Sequence, residues 1–161
     1  MASRTHWQLQ GKIGLRTPAD SASAAINAWR QQGPTYDVQL SSTFLGLGAV
    51  RLRGDTEFIS LEEAGEAPVY SDEPDTLLAQ SLGYPLPIAQ LKHWVKGLPA
   101  PGDYEITARD ARGLPTHITQ FGWTLEFSKH HLVDGLPLPG KVKLTRPDVR
   151  IILAIAEWTL L

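Results

Sequence analysis

The chain of 161 residues contains no cysteine, which excludes disulfides and thiolate metal sites. It has no stretch approaching the roughly 18 apolar residues of a membrane-spanning helix; the longest apolar block, 149–156, is interrupted by Arg150. A basic excess is missing as well. The formal net charge is −2, so nucleic acid is not an expected partner, and no run of like charges offers a polybasic membrane tether. No secretory signal is visible, because Met1-Ala2-Ser3-Arg4 leads straight into the first patterned segment. The expectation is either a cytosolic protein or one whose export segment has been removed.

Catalytic signatures are lacking too. There is no Gly-Lys-Ser/Thr phosphate loop and no Gly-x-Ser-x-Gly nucleophile elbow. Gly46-Leu47-Gly48 imitates the start of a dinucleotide loop, but Arg51 occupies the third glycine position. The acidic pairs Glu62/Glu63 and Asp72/Glu73 read as an exposed turn and a helix-start charge rather than a general acid/base dyad. The five histidines are His6, His93, His117, His130 and His131. None pairs with a carboxylate or a second His at a helical ligand spacing. His130-His131 sit in an expected turn, and adjacent strand residues point to opposite faces, so solvated surface is the expectation for all five. No catalytic residue, metal or cofactor is expected.

What is present is alternation. Trp7, Leu9, Ile13 and Leu15 share one face of the first segment against His6, Gln8, Gln10, Lys12 and Arg16, the period of a half-buried strand. Gly11 and Gly14 inside it predict a bend or bulge. A turn-rich link covers 17–23, a weaker strand 24–31, and a third strand puts Tyr36, Val38 and Leu40 inward. Further strands are expected over 49–53, 57–61 and 68–70. Then Asp72, Pro74 and the Leu77/Leu78/Leu82 stripe ending at Gly83 carry the start and stop signals of a short helix. Pro85 or Pro87 opens a second helix with Ile88, Leu91, Trp94 and Val95 on one side and Gly97 as its stop. Strands resume at 104–108, 116–121, 123–127, around Val142 and Leu144, and at 149–160, the last apolar enough to be covered on both sides. The pattern predicts a mainly β protein: a strongly curved antiparallel sheet of about ten or eleven strands with a helical insertion. A single domain over 1–161 is expected, with about the first five residues a tether remnant.

The informative residues are apolar. Trp7, Trp29, Trp94, Trp123 and Trp158 are many for this length; each reads first as a core anchor and alternatively as the wall of an enclosed apolar pocket. Thr43-Phe44-Leu45-Gly46-Leu47-Gly48 is unusually apolar for the link between two half-polar strands. Phe44 keeps the inward phase of the preceding strand, whereas Leu45 falls out of phase, as for a leucine offered to a membrane or a lipidated partner.

These features together resemble the LolB family of outer-membrane lipoprotein receptors. The likeness runs from Trp7-Gln8-Leu9-Gln10-Gly11-Lys12-Ile13 to Trp158. It passes through Trp29-Arg30-Gln31, Tyr36-Asp37-Val38-Gln39-Leu40, the Leu45-Gly46 loop and Tyr84-Pro85-Leu86-Pro87. Leu91-Lys92-His93-Trp94-Val95-Lys96-Gly97-Leu98-Pro99 is its most specific piece, followed by Gln120-Phe121-Gly122-Trp123 and Leu138-Pro139. The resemblance implies an incomplete antiparallel β-barrel with a small helical lid over a hydrophobic cavity. It implies a receptor, expected to be monomeric, that accepts lipoprotein cargo by its acyl chains from the periplasmic carrier LolA. Cargo would then enter the inner leaflet of the outer membrane, on its periplasmic face, without nucleotide hydrolysis. The family's acylated N-terminal Cys has no counterpart here, so a native anchor is inferred. Phe44, Leu45, Gly46 and Leu47 would form the membrane-insertion loop. Trp7, Ile13, Trp29, Tyr36 and Val38 would line the cavity from the first strands, and Leu82, Ile88, Leu91, Trp94 and Val95 from the helices. Trp123 and Leu125 would line it from the later strands. The alternative reading is a soluble periplasmic carrier or a lipocalin-like binder of acyl ligands.

Overall fold

The computed structural model describes residues 4–42, 48–82 and 86–161; the expected insertion loop, Phe44 to Leu47, lies outside them, as does the side chain of Leu82. The chain opens with β1 (His6–Arg16), β2 (Ser21–Gln32), β3 (Thr35–Ser42), β4 (Gly48–Gly54), β5 (Ile59–Glu63) and β6 (Val69–Ser71). Two helices follow, α1 (Pro74–Leu82) and α2 (Ile88–Trp94), and then β7 (Glu105–Arg109), β8 (Pro115–Gln120) and β9 (Trp123–Ser128). A small hairpin of β10 (His131–Val133) and β11 (Leu136–Leu138) precedes β12 (Lys141–Arg146) and β13 (Val149–Leu160). Among the described residues eleven strands form one antiparallel sheet in the order β6-β5-β4-β3-β2-β1-β13-β12-β9-β8-β7. The outermost strands, β6 and β7, do not pair, so the barrel is unclosed. The inward side chains of β5 and β8, near opposite edges, nevertheless join a single apolar cluster. A sheet whose two ends share one core must curl around it.

The first strand shows how the curl is made. β1 keeps its alternation unbroken, while both neighbours carry extra residues beside Gln10. Gln10 and Gly11 face Glu157 and Ile155, skipping Ala156, and Leu9 and Gly11 face Trp29 and Ile26. Bulges of this kind bend a sheet and increase its twist. Gly11 is where the chains approach closest, because a Cβ there would collide with the carbonyl oxygen of Ala154. Gly14, by contrast, sits in regular pairing with Ile152 and Ser23.

Several expectations need correction. β13 is covered on one side only: Ile151, Leu153, Ile155 and Trp158 are buried, whereas Arg150, Ala154, Ala156 and Glu157 are exposed. Its outward alanines are small enough to face water, so apolarity on both faces did not mean burial on both. β5 begins at Ile59 rather than Glu57, because the Asp55 carboxylate accepts the Glu57 and Phe58 N–H groups and makes a turn there. Glu62 and Glu63 therefore end a strand instead of forming a turn. His131 opens β10, paired with Leu138. His93, His117 and His130 are half-buried rather than solvated.

Candidate functional site

The inner surface is built from period-two alternation in the strands and one face of α2. Trp7, Trp29, Tyr36, Val38, Ile88, Leu91, Trp94, Val95, Trp123 and Leu125 are all buried in the same cluster, and Ile13 packs against it half-buried. Trp7 sits at the centre of an aromatic group, 5.3 Å from Trp29 and 5.2 Å from Trp158 between ring centroids. Tilted and edge-on contacts of this kind are the favoured aromatic geometry. Each buried indole must also place its N–H. Trp29 Nε1 donates to Gln31 Oε1 at 3.1 Å, and Trp158 Nε1 to the Pro139 carbonyl oxygen at 3.0 Å. The Tyr36 hydroxyl is buried without a partner among the described residues, and its pKa is pushed up to about 12, by burial first and then by Asp55 and Asp75.

Helix α2 is short and tied down by one polar residue. Pro87 precedes it, with the Leu91 N–H donating to the Pro87 carbonyl. Gly97, at φ +76°, ends it: its N–H reaches the Trp94 carbonyl while that of Leu98 reaches His93. These paired bonds form the left-handed C-terminal cap that favours glycine. Inside, Gln120 of β8 is buried and fully engaged. Its Oε1 accepts from Trp94 Nε1 at 2.9 Å and from the Ala100 N–H at 2.8 Å, and its Nε2 donates to the Ala100 carbonyl at 2.6 Å. One amide thus fixes both the helix and the chain leaving it to the sheet.

A cavity of about 190 Å³ opens beside this contact, walled by Leu86, Pro87, Trp94, Phe121 and Trp123, with Asp75, Gln90 and Arg146 as its polar members. Trp94 and Trp123, both expected to line an apolar pocket, meet here. Phe121 and Gly122, at φ +53° and +78°, form the two-residue turn between β8 and β9; β8 therefore stops at Gln120, one residue before the expected end. A phenylalanine holds this conformation at a cost. Its ring lies where a Cβ on Gly102 would stand, and its carbonyl accepts from Arg146 Nη2 at 2.6 Å. The Arg146 guanidinium also lies 4.5 Å above the Trp123 ring, a cation–π contact. The recess thus combines apolar walls with a guanidinium, a carboxylate and an amide, an arrangement suited to an amphipathic group. Among the described residues no group of three His, Asp or Glu side chains could hold a metal ion.

Sequence reasoning missed Gln120, Phe121 and Arg146. Phe121-Gly122 carried a signal, since an aromatic followed by glycine between two alternating strands fits a two-residue turn. Gln120 and Arg146 carried none; their roles come from partners 20 to 26 residues away.

An unclosed antiparallel barrel curled on an apolar core, with a short helix packed against its interior, is a fold this chain shares with solved structures. A LolA superfamily protein from Nitrosomonas europaea superposes with a TM-score of 0.60 over 99% of this chain and 87% of its own, at 9% identity. A DUF1329 family protein from Desulfovibrio piger gives 0.58 over 98% and 86%, at 5% identity. At those identities the likeness is one of fold. The particular family follows from sequence: the chain belongs to the outer membrane lipoprotein LolB family, whose sequence model matches residues 5–158. It is 42% identical over 155 residues to the outer-membrane lipoprotein LolB of Marinobacter nauticus, covering 94% of this chain and 74% of that one. With the LolB of Pseudomonas paraeruginosa it shares 40% over 152 residues, covering 94% and 73%.

Proposed function

We propose that this protein is a LolB-type receptor at the periplasmic face of the outer membrane, which accepts lipoproteins from the carrier LolA and delivers them into that membrane. Acyl chains are the part of the cargo it must shield. Each buried methylene is worth about 0.8 kcal/mol, so several long chains cannot cross open water at any useful rate. Transfer therefore runs from one apolar interior to another and then to the bilayer, with no bond made or broken.

The observation that carries this reading is the cavity between α2 and the β8–β9 turn, which Trp94 and Trp123 both line at the edge of a continuous apolar core. At about 190 Å³ it falls below the roughly 300–1,000 Å³ of ordinary ligand pockets. Acyl chains would widen it by displacing α2, the short element whose Ile88, Leu91, Trp94 and Val95 close the interior. Trp7, Ile13, Trp29, Tyr36, Val38, Leu82 and Leu125 would form the remaining walls. Release into the membrane is assigned to the loop of Phe44, Leu45, Gly46 and Leu47. Leu45→Glu is expected to leave uptake from loaded LolA intact and to impair delivery to vesicles. Equal loss of both steps would show that Leu45 serves folding instead.

A further inference from the structure

The side of α2 turned away from the core carries charge. Lys92 and His93, with Lys96 from the turn that follows, line a second pocket of about 250 Å³, whose other walls are the start of β1 and the β2–β3 turn. Lys96 is only 7% exposed. Its Nζ donates to the carbonyl oxygen of Arg4 at 3.3 Å, and the ion pairs of the described residues join Arg51 and Arg53 to Asp37, not to Lys96. No carboxylate lines the pocket. An ammonium withdrawn from water without a counter-ion is costly, and a neutral side chain of similar length would fill the space without that cost. A second cation beside it makes the arrangement worse unless an anion joins them. Burial, and then Lys92, hold the Lys96 ammonium below its ordinary pKa, while burial and both lysines do the same to His93.

We propose that Lys92, His93 and Lys96 form a binding site for a phosphate-class anion, either the phosphate of a phospholipid headgroup or a free phosphomonoester. Three side chains that carry N–H donors line the pocket, and the oxygens of a tetrahedral anion accept from directions outside any one plane, whereas the lone-pair sites of a carboxylate lie in its plane. At about 250 Å³ the pocket has room for a phosphate group, and its lining by three basic side chains without a carboxylate suits an anion rather than an acyl chain. It shares its helix with the closure of the apolar interior, so an anion bound here would bear on the element that must move. The site is distinct from the acyl pocket, and its test does not depend on lipoprotein receipt.

The experiment titrates the whole chain at constant ionic strength with glycerol 3-phosphate, inorganic phosphate and acetate, following backbone amide shifts. Flotation is measured in parallel with phosphatidylcholine vesicles with and without phosphatidylglycerol. Lys96→Met is the comparison; without anion it is expected to melt no lower than the parent, because it removes an unpaired buried charge. Saturable phosphate binding centred on residues 92–96 and weakened about tenfold or more in K96M, the loss expected for one charged contact, supports the site. Vesicle binding that needs phosphatidylglycerol and falls in K96M assigns the headgroup as source; a response to the soluble probes alone assigns free phosphate. No saturable response, an equal response in K96M, or an equal response to acetate overturns the proposal. If K96M does not fold, Lys92→Gln, at a half-buried position, provides the same comparison.

Discussion

Gln120 concentrates more of the architecture than any other polar side chain of the interior. Replacing it with leucine strands the Trp94 indole N–H and both polar groups of Ala100 away from water. A buried donor or acceptor left without a partner costs about 1–3 kcal/mol, so Q120L is expected to lower unfolding free energy by at least that range in a denaturant titration. An unchanged midpoint would mean that α2 is held by apolar contact alone. His93 makes a second prediction at this scale. Burial first, then Lys92 and Lys96, hold its pKa below the ordinary 6.5. The unfolded chain therefore takes up this proton near pH 6.5 and the folded protein only at lower pH. Between those points the unfolded state binds more protons, so stability falls as pH drops through the window. His93→Gln should flatten that fall in part, with His130, also held low chiefly by burial, carrying the remainder. An unaltered pH profile in the variant would contradict the placement of His93.

At the scale of elements, much was legible because strands and helices announce themselves by period. The alternation of Trp7, Leu9, Ile13 and Leu15 located β1, and Pro85 or Pro87 with Gly97 bracketed α2. What escaped depends on things a period does not encode. The β10–β11 hairpin is two three-residue strands, too short to alternate visibly. The outward face of β13 is apolar because alanine suffices there, not because anything covers it. The glycine signal in β1 was real but shared between two positions, and only pairing distinguishes them. Gly11 lies against the Ala154 carbonyl, so Gly11→Ala should disrupt the β1–β13 ladder and destabilise the protein by about 1–3 kcal/mol or more. The same change at Gly14, where the nearest atom to an added Cβ is 4.0 Å away, should be tolerated. Matching losses at the two sites in thermal melts would refute the close-packing explanation.

At the scale of the molecule, the apolar residues expected to form a binding interior share one core, Leu82 apart because its side chain lies outside the described residues, but packing and the proposed binding would use the same side chains. Trp7 packs against Trp29 and Trp158 as in a core, whereas Trp94 and Trp123 line a recess beside a short helix. Sequence could not separate the two groups, because inward-facing tryptophans look alike until the cavity that distinguishes them is assembled from strands far apart in the chain. With the sheet left unclosed between β6 and β7, the proposed movement of α2 would not require a ladder of backbone hydrogen bonds to break. In the proposed transfer, acyl chains enter beneath that helix. This entry is tested most directly by loading LolA with a lipoprotein bearing brominated acyl chains, transferring it to this protein, and reading tryptophan fluorescence. Strong quenching, largely abolished in a Trp94→Phe/Trp123→Phe variant that still accepts cargo, is the predicted result. Transfer without quenching, or quenching unchanged in that variant, would place the acyl chains elsewhere and contradict the account.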